Sequence, residues 1–218
     1  MTYWKFLRAG TVSPFTGHVW EPGTWYTAER TEPCSAGFHA CRTADLPYWL
    51  GEELWSIELA SPVAELPHKV VAPSARLRHR ATEWTPSAAA EFALACVGRT
   101  AVHAAGELRE AGLTGEAARL EDAASAAPAD LPAPADPAAV ADVARAGAEA
   151  AGFASRAARL CGLVVDAAEA AEIYPVASVA YIAARAANHR TDGGGADLYE
   201  RERQWQAAWL AERLRLRD

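Results

Sequence analysis

The stretch GFHACRTADLPYWLGEELWSIELA, residues 37–60, decides the fold. Within it, residues 54–59 alternate as a strand does: Trp55, Ile57 and Leu59 fall on one side of an extended chain, Leu54, Ser56 and Glu58 on the other. GFHAC at the start reads as a short strand. TADLPYWLGE in the middle reads as a short helix, with Thr43 placed to cap it.

The neighbouring segments extend the same reading. YWKFLRAG (3–10) is a strand followed by a glycine turn, and VWEPGTWYTA (19–28) gives two short extended pieces around Pro22-Gly23. HKVVAPSARLRHRATEW (68–84) gives a final pair of extended segments split by Pro73. Six of the eight tryptophans, Trp4, Trp20, Trp25, Trp49, Trp55 and Trp84, fall in this part, and large side chains are what a small β-rich domain needs for a core. Residues 1–85 are therefore predicted to form a small α+β domain with mixed or antiparallel strands.

From Pro86 the periodicity becomes helical. In SAAAEFALACVGRTAVHAAGELREAG, Phe92, Cys96, Arg99 and His103 recur every three or four residues, with Ser87 as the expected start and Cys96 as a small core residue. The prediction is a helical extension over 86–122, a linker over 123–137 whose four prolines cannot continue a helix, and an alanine-rich helical domain over 138–218. Alanine favours helix and lets helices approach closely, so this half is predicted to be a tight bundle, with faces equally suited to a homo-oligomer interface. In the closing helix Leu198, Trp205 and Trp209 share a face, and Arg213, Arg215 and Arg217 sit where the helix dipole favours positive charge. TDGGG (191–195) reads as a hinge between helices, and His103 and His189 as isolated residues.

A net charge of -7 gives no general attraction to a phosphate backbone, so nucleic acid is not expected as a partner. No apolar run reaches membrane-spanning length, and MTYWKFLRAG does not resemble a secretion signal; the expected location is the cytoplasm, where the four cysteines stay thiols.

Cys34, His39 and Cys41 lie within eight residues, and four chemistries suit them. In an extended strand His39 and Cys41 share a face, and the turn at 35–37 can bring Cys34 back, so zinc can take all three with His18 or His68 as a fourth ligand. The spacing C-x4-H-x-C differs from the usual paired zinc elements. A Cys34–Cys41 disulfide, a Cys41 nucleophile with His39 as its base, and ordinary packing are the other readings. Lys69 beside His68 is a candidate anion ligand, and Trp4, Trp20, Trp25 and Tyr26 could wall a small-molecule pocket.

PCSAGFHACRTADLPYWL, followed by ELWSIELA and HKVVAPSARLRHRATEW, resembles a family of uncharacterised phage and actinobacterial proteins with a C-x-x-G-[FL]-H-x-C element. Cys34, Gly37, Phe38, His39, Cys41 and Lys69 fall on its pattern, across residues 3–84. The helical part is similar to tails seen beside such domains and in immunity proteins. A more distant resemblance is to the ADP-ribosyltransferase-like fold. It implies an NAD cleft with His39 inside it, Tyr48 or Trp49 stacked on nicotinamide, and Glu58 as the catalytic carboxylate. The leading expectation is a non-catalytic protein that recognises a protein or small-molecule partner, in phage–host or toxin–immunity conflict as the resemblance suggests. The alternative is an NAD-using enzyme.

Overall fold

The computed structural model describes residues 2–32, 35–125, 136–152, 154–173, 176–189 and 196–216. The protein is α+β: an antiparallel β region comes first and a helical region follows. The chain divides into two compact units, Met1–Ala88 with Ala207–Asp218, and Ala89–Gln206.

The strands are β1 (Tyr3–Leu7), β2 (Tyr26–Thr27), β3 (Phe38–Ala40), β4 (Glu53–Ala60), β5 (Ala64–Leu66), β6 (Lys69–Ala72) and β7 (Ser74–Arg80). They make two antiparallel sheets, in the orders β1-β4-β7-β2 and β3-β6-β5. Trp4 and Cys41 exchange two backbone hydrogen bonds of 2.8 Å, which tie the edge strand β1 to the end of β3. Leu7, Ile57, Ala75 and Leu77 of the first sheet share one core with Ala40 and Val70 of the second and with Trp20 from the long β1–β2 loop.

The alternation in residues 54–59 survives only in part. The register of β4 against β7 shifts between Trp55 and Ile57, and bulges of this kind bend a strand. Leu54 is fully buried opposite Phe6, which packs edge-on against Trp84 at 5.6 Å, whereas Glu58 on the same side is exposed. That side is thus core at one end and surface at the other.

Residues Thr43–Tyr48 form a 3-10 helix, but Thr43 is not its cap. Arg42 holds that position, and its Nε donates to Asp45 at 2.6 Å. The short edge strand β5 has no counterpart in the sequence reading: Ala64-Glu65-Leu66 carries no strong strand signal, and a two-residue Pro67-His68 turn pairs it with β6.

The helices are α1 (Pro86–Glu110), α2 (Thr114–Ser125), α3 (Pro137–Ala151), α4 (Arg156–Ile173), α5 (Val176–Asn188) and α6 (Ala196–Arg213). At the start of α1 the Thr85 hydroxyl accepts from the Ala88 N–H at 3.1 Å, so Thr85 caps the helix in place of Ser87 and Pro86 fills the first turn. Most of the predicted linker lies outside the described residues, as does the TDGGG segment. In the second unit close approach relies on small residues. A Cβ built on Gly147 of α3 would sit 3.4 Å from both Cys161 Sγ and a Leu108 methyl.

α6 does not bury the face carrying Leu198, Trp205 and Trp209, all of which are half-buried. The buried positions are Glu202, Arg203, Gln206, Ala207 and Leu210. Nor is His103 isolated. It is buried on α1 with Nε2 3.4 Å from Glu202, whose other carboxylate contact is Arg99 at 2.7 Å. No described helix is long and apolar enough to cross a membrane.

Candidate functional site: a lysine-bearing cavity in the first unit

The first unit contains a cavity of about 600 Å³. Its floor comes from β1 (Trp4, Lys5, Phe6) and β3 (Phe38, His39, Ala40), one wall from Tyr48, Trp49 and Lys69, and its rim from the Ser13–His18 loop. The loop is fixed by Ser13 N–H donating to His18 O at 2.8 Å and Gly17 N–H to Ser13 O at 3.0 Å, and it holds Phe15 out, 86% exposed.

Aromatic packing sets the apolar wall. Trp20 is buried, with Nε1 donating to Ser13 Oγ at 2.8 Å, and its ring meets Tyr26 and Phe38 edge-on at 5.2 and 5.4 Å. Gly37 lets β3 reach this position. Its φ is +94°, and a Cβ there would sit 2.9 Å from Val71 Cγ1.

The charge of the lining opposes that of the chain. A protein of net charge -7 lines this cavity with two lysines and two histidines, and no Asp or Glu is among the lining residues. The 21 basic residues comprise 19 arginines and only two lysines, Lys5 and Lys69, and both lysines are here. Lys5 Nζ donates to the His39 carbonyl at 2.8 Å and lies 5.5 Å from the centre of the Trp20 ring. Among the described residues it has no carboxylate partner. Burial pushes its pKa down to about 8, because an ammonium deprived of water is disfavoured. Lys69 Nζ lies 5.8 Å from the Trp49 ring.

His39 is half-buried, and its Nε2 has no hydrogen-bond partner among the described residues. Burial first, then the nearby Lys69 and Lys5 charges, hold its pKa below the ordinary histidine value despite a hydrogen bond with the Gly37 backbone. The imidazole is therefore neutral near pH 7.

Of the residues singled out in the sequence, His39, Tyr48, Trp49, Lys69 and Cys41 all line this cavity. Each has a specific situation. One face of Tyr48 stacks on His68, with centroids 3.8 Å apart, and Trp49 Nε1 donates to the His68 carbonyl. Cys41 is a free, buried thiol; its Sγ donates to Trp4 O at 3.5 Å, and burial pushes its pKa up to about 12, which leaves little of the thiolate a nucleophile needs. Cys34 lies outside the described residues, and so does the part of the zinc and disulfide readings that depends on it. Among the described residues no three His, Cys, Asp or Glu side chains gather as a metal site would require.

Glu58 does not join the others. It is exposed on β4, outside the cavity lining, and is held by Arg76 at 2.8 Å and Arg78 at 3.4 Å. The juxtaposition of His39 with a Glu58 carboxylate that the ADP-ribosyltransferase-like likeness implies is not formed. The sequence reading missed Lys5, although the scarcity of lysine in an arginine-rich chain was a signal in plain view. The chain matches no protein-family model, no curated protein and no solved structure.

Proposed function

We propose that the first unit is a receptor for a small anionic ligand that carries a planar ring. The observation that supports this most directly is the cavity lining, which holds both lysines of the chain and no carboxylate. The Lys5 ammonium has no carboxylate partner among the described residues, and a bound anion would supply one. Aromatic walls from Trp4, Phe38 and Trp49 suit a flat ring. The volume is in the range of sites that take nucleotide-sized molecules. This reading keeps the expectation of a recognition protein and gives its ligand a chemical class. A setting in phage–host or toxin–immunity conflict rests on the family resemblance alone.

The test is isothermal titration of the purified chain with a panel of planar anions, among them AMP, NAD and pyridoxal 5'-phosphate, with uncharged adenosine and pyridoxine as controls. Binding of at least one anion, with affinity reduced roughly tenfold or more in Lys69→Ala, supports the reading, since a desolvated charge-assisted contact contributes about 1.5–3 kcal/mol. Equal affinity for charged and uncharged rings would overturn it. Release of nicotinamide from NAD during the titration would favour the enzyme alternative.

A further inference from the structure

Lys5 has features that anion binding alone does not require. Arginine holds carboxylates and phosphates better than lysine, remains charged at every accessible pH and is the basic residue this chain uses at its 19 other basic positions. Lysine alone can shed its proton and become a nucleophile. Lys5 stands on the floor strand β1, packed against Trp20, anchored by one hydrogen bond to His39 O and opposed, among the described residues, by no carboxylate that would hold it charged. Desolvation of a lysine is one arrangement that activates an amine.

We infer that Lys5 is a covalent capture residue, whose amine condenses with an aldehyde or ketone on the planar anion bound in the cavity to form an imine. This rests on the ligand reading above and narrows it to carbonyl compounds. In the step, the deprotonated Nζ attacks the carbonyl carbon; the C–N bond forms as the π pair moves to oxygen. A proton passes from nitrogen to oxygen by way of solvent, and a second proton from solvent turns that oxygen into a leaving water. Loss of that oxygen as water leaves the protonated imine. No oxidant or reductant enters, and hydrolysis reverses the sequence. Lys69, beside Trp49, supplies the positive charge for the ligand's phosphate or carboxylate. The depressed basicity of Lys5 agrees with this role, since about half of the amine is free near pH 8 against less than about one hundredth for an ordinary lysine.

Pyridoxal 5'-phosphate is the probe, being flat, anionic and an aldehyde. The full chain is incubated with it at pH 8, reduced with sodium borohydride and mapped by peptide mass spectrometry. The expected result is one saturable adduct per chain, at Lys5, formed roughly tenfold or more faster than on N-acetyl-lysine, because a larger free-amine fraction outweighs the lower nucleophilicity of a weaker base. Pyridoxal without phosphate should label Lys5 more slowly. Lys5→Arg keeps the charge and should lose the adduct; where circular dichroism shows that variant misfolded, Lys5→Met replaces it. Equal labelling of Lys5, Lys69 and the terminal amine would overturn the inference, as ordinary amine reactivity. Titratable binding of the probe without an adduct at Lys5 would overturn it while leaving the ligand reading intact. Absence of both binding and adduct would overturn the inference, and the ligand reading then stands or falls on the other anions of the panel.

Discussion

The two units bury basic side chains in opposite ways. In the second, Arg99 and His103 on α1 meet Glu202 on α6, Arg203 donates to Gln206 at 3.0 Å and Gln206 donates to the Ala180 carbonyl at 2.8 Å. The charged groups of this inner face meet one another, which is how a polar face can be the inner face of a helix, although His103 Nδ1 and Asn188 Oδ1 have no hydrogen-bond partner among the described residues. In the first unit the half-buried Lys5 has a backbone carbonyl and an aromatic ring but, among the described residues, no carboxylate. A charge answered from within serves the fold. A charge left for something outside the chain marks a site, and mutation should separate the two cases.

The largest effect is expected at Glu202. Glu202→Ala would strand a buried imidazole and a guanidinium, and breaking a buried ion pair from one side destabilises by about 3–5 kcal/mol; chemical denaturation followed by circular dichroism at 222 nm, which reports mainly the helices, should show it, without change in anion binding. The same carboxylate sets an acid limit. Burial alone would raise its pKa, but the hydrogen bonds from His103 and Arg99 win and hold it below 4.5. A depressed carboxylate stabilises the fold above its unfolded value and loses that contribution as pH falls through the folded one. The stability that this carboxylate contributes should therefore be intact from pH 7 to 5 and decline below about 4.5, and that decline should be weaker in Glu202→Gln.

Gly37 comes next. Gly37→Ala brings a methyl into Val71 at a φ of +94°, and the combined strain and overpacking should cost about 1–3 kcal/mol. Because β3 carries His39 and Ala40 along the cavity floor, this variant should also lose ligand affinity, linking stability to binding where Glu202 does not.

How far the sequence foretells this molecule follows from the same contrast. Strand positions were legible where apolar side chains alternate, as in β4, and illegible where a short edge strand carries Ala64 and Glu65. The inner face of α6 was misread because charged residues are normally outside. Only tertiary pairing of Glu202 with α1 reverses that, and no helical periodicity records it. In the cavity, His39, Tyr48, Trp49 and Lys69 stand out by type and spacing, whereas Lys5 looks like an ordinary outward strand residue until the count of lysines is set beside the count of arginines.

A smaller effect, of unusual sign, is expected for Lys5→Met. The lysine's folded pKa of about 8 lies below its unfolded value of 10.5, so burial of the ammonium opposes folding below pH 8 and the penalty is relieved as pH rises between those values. Replacing it with an apolar chain of similar length should leave the melting temperature at pH 7 unchanged or raised, and should flatten the gain in stability of the parent between pH 8 and 10. Binding should be lost at the same time. A Lys5→Met protein that melts well below the parent would place Lys5 with the structural charges and erase the contrast.

The smallest effect belongs to Glu58. It is 44% exposed at its side chain and pairs with Arg76 and Arg78 on the outer surface of β4 and β7, where ion pairs contribute about 0–1 kcal/mol. Glu58→Ala should leave anion affinity and the Lys5 adduct unchanged and should melt close to the parent. Should it instead abolish turnover of NAD in a fully folded protein, the carboxylate would have to act from outside the lysine cavity, and the ligand's reacting bond would lie away from Lys5. Titration calorimetry on the folded variant, with AMP, NAD and pyridoxal 5'-phosphate in parallel, decides between the two.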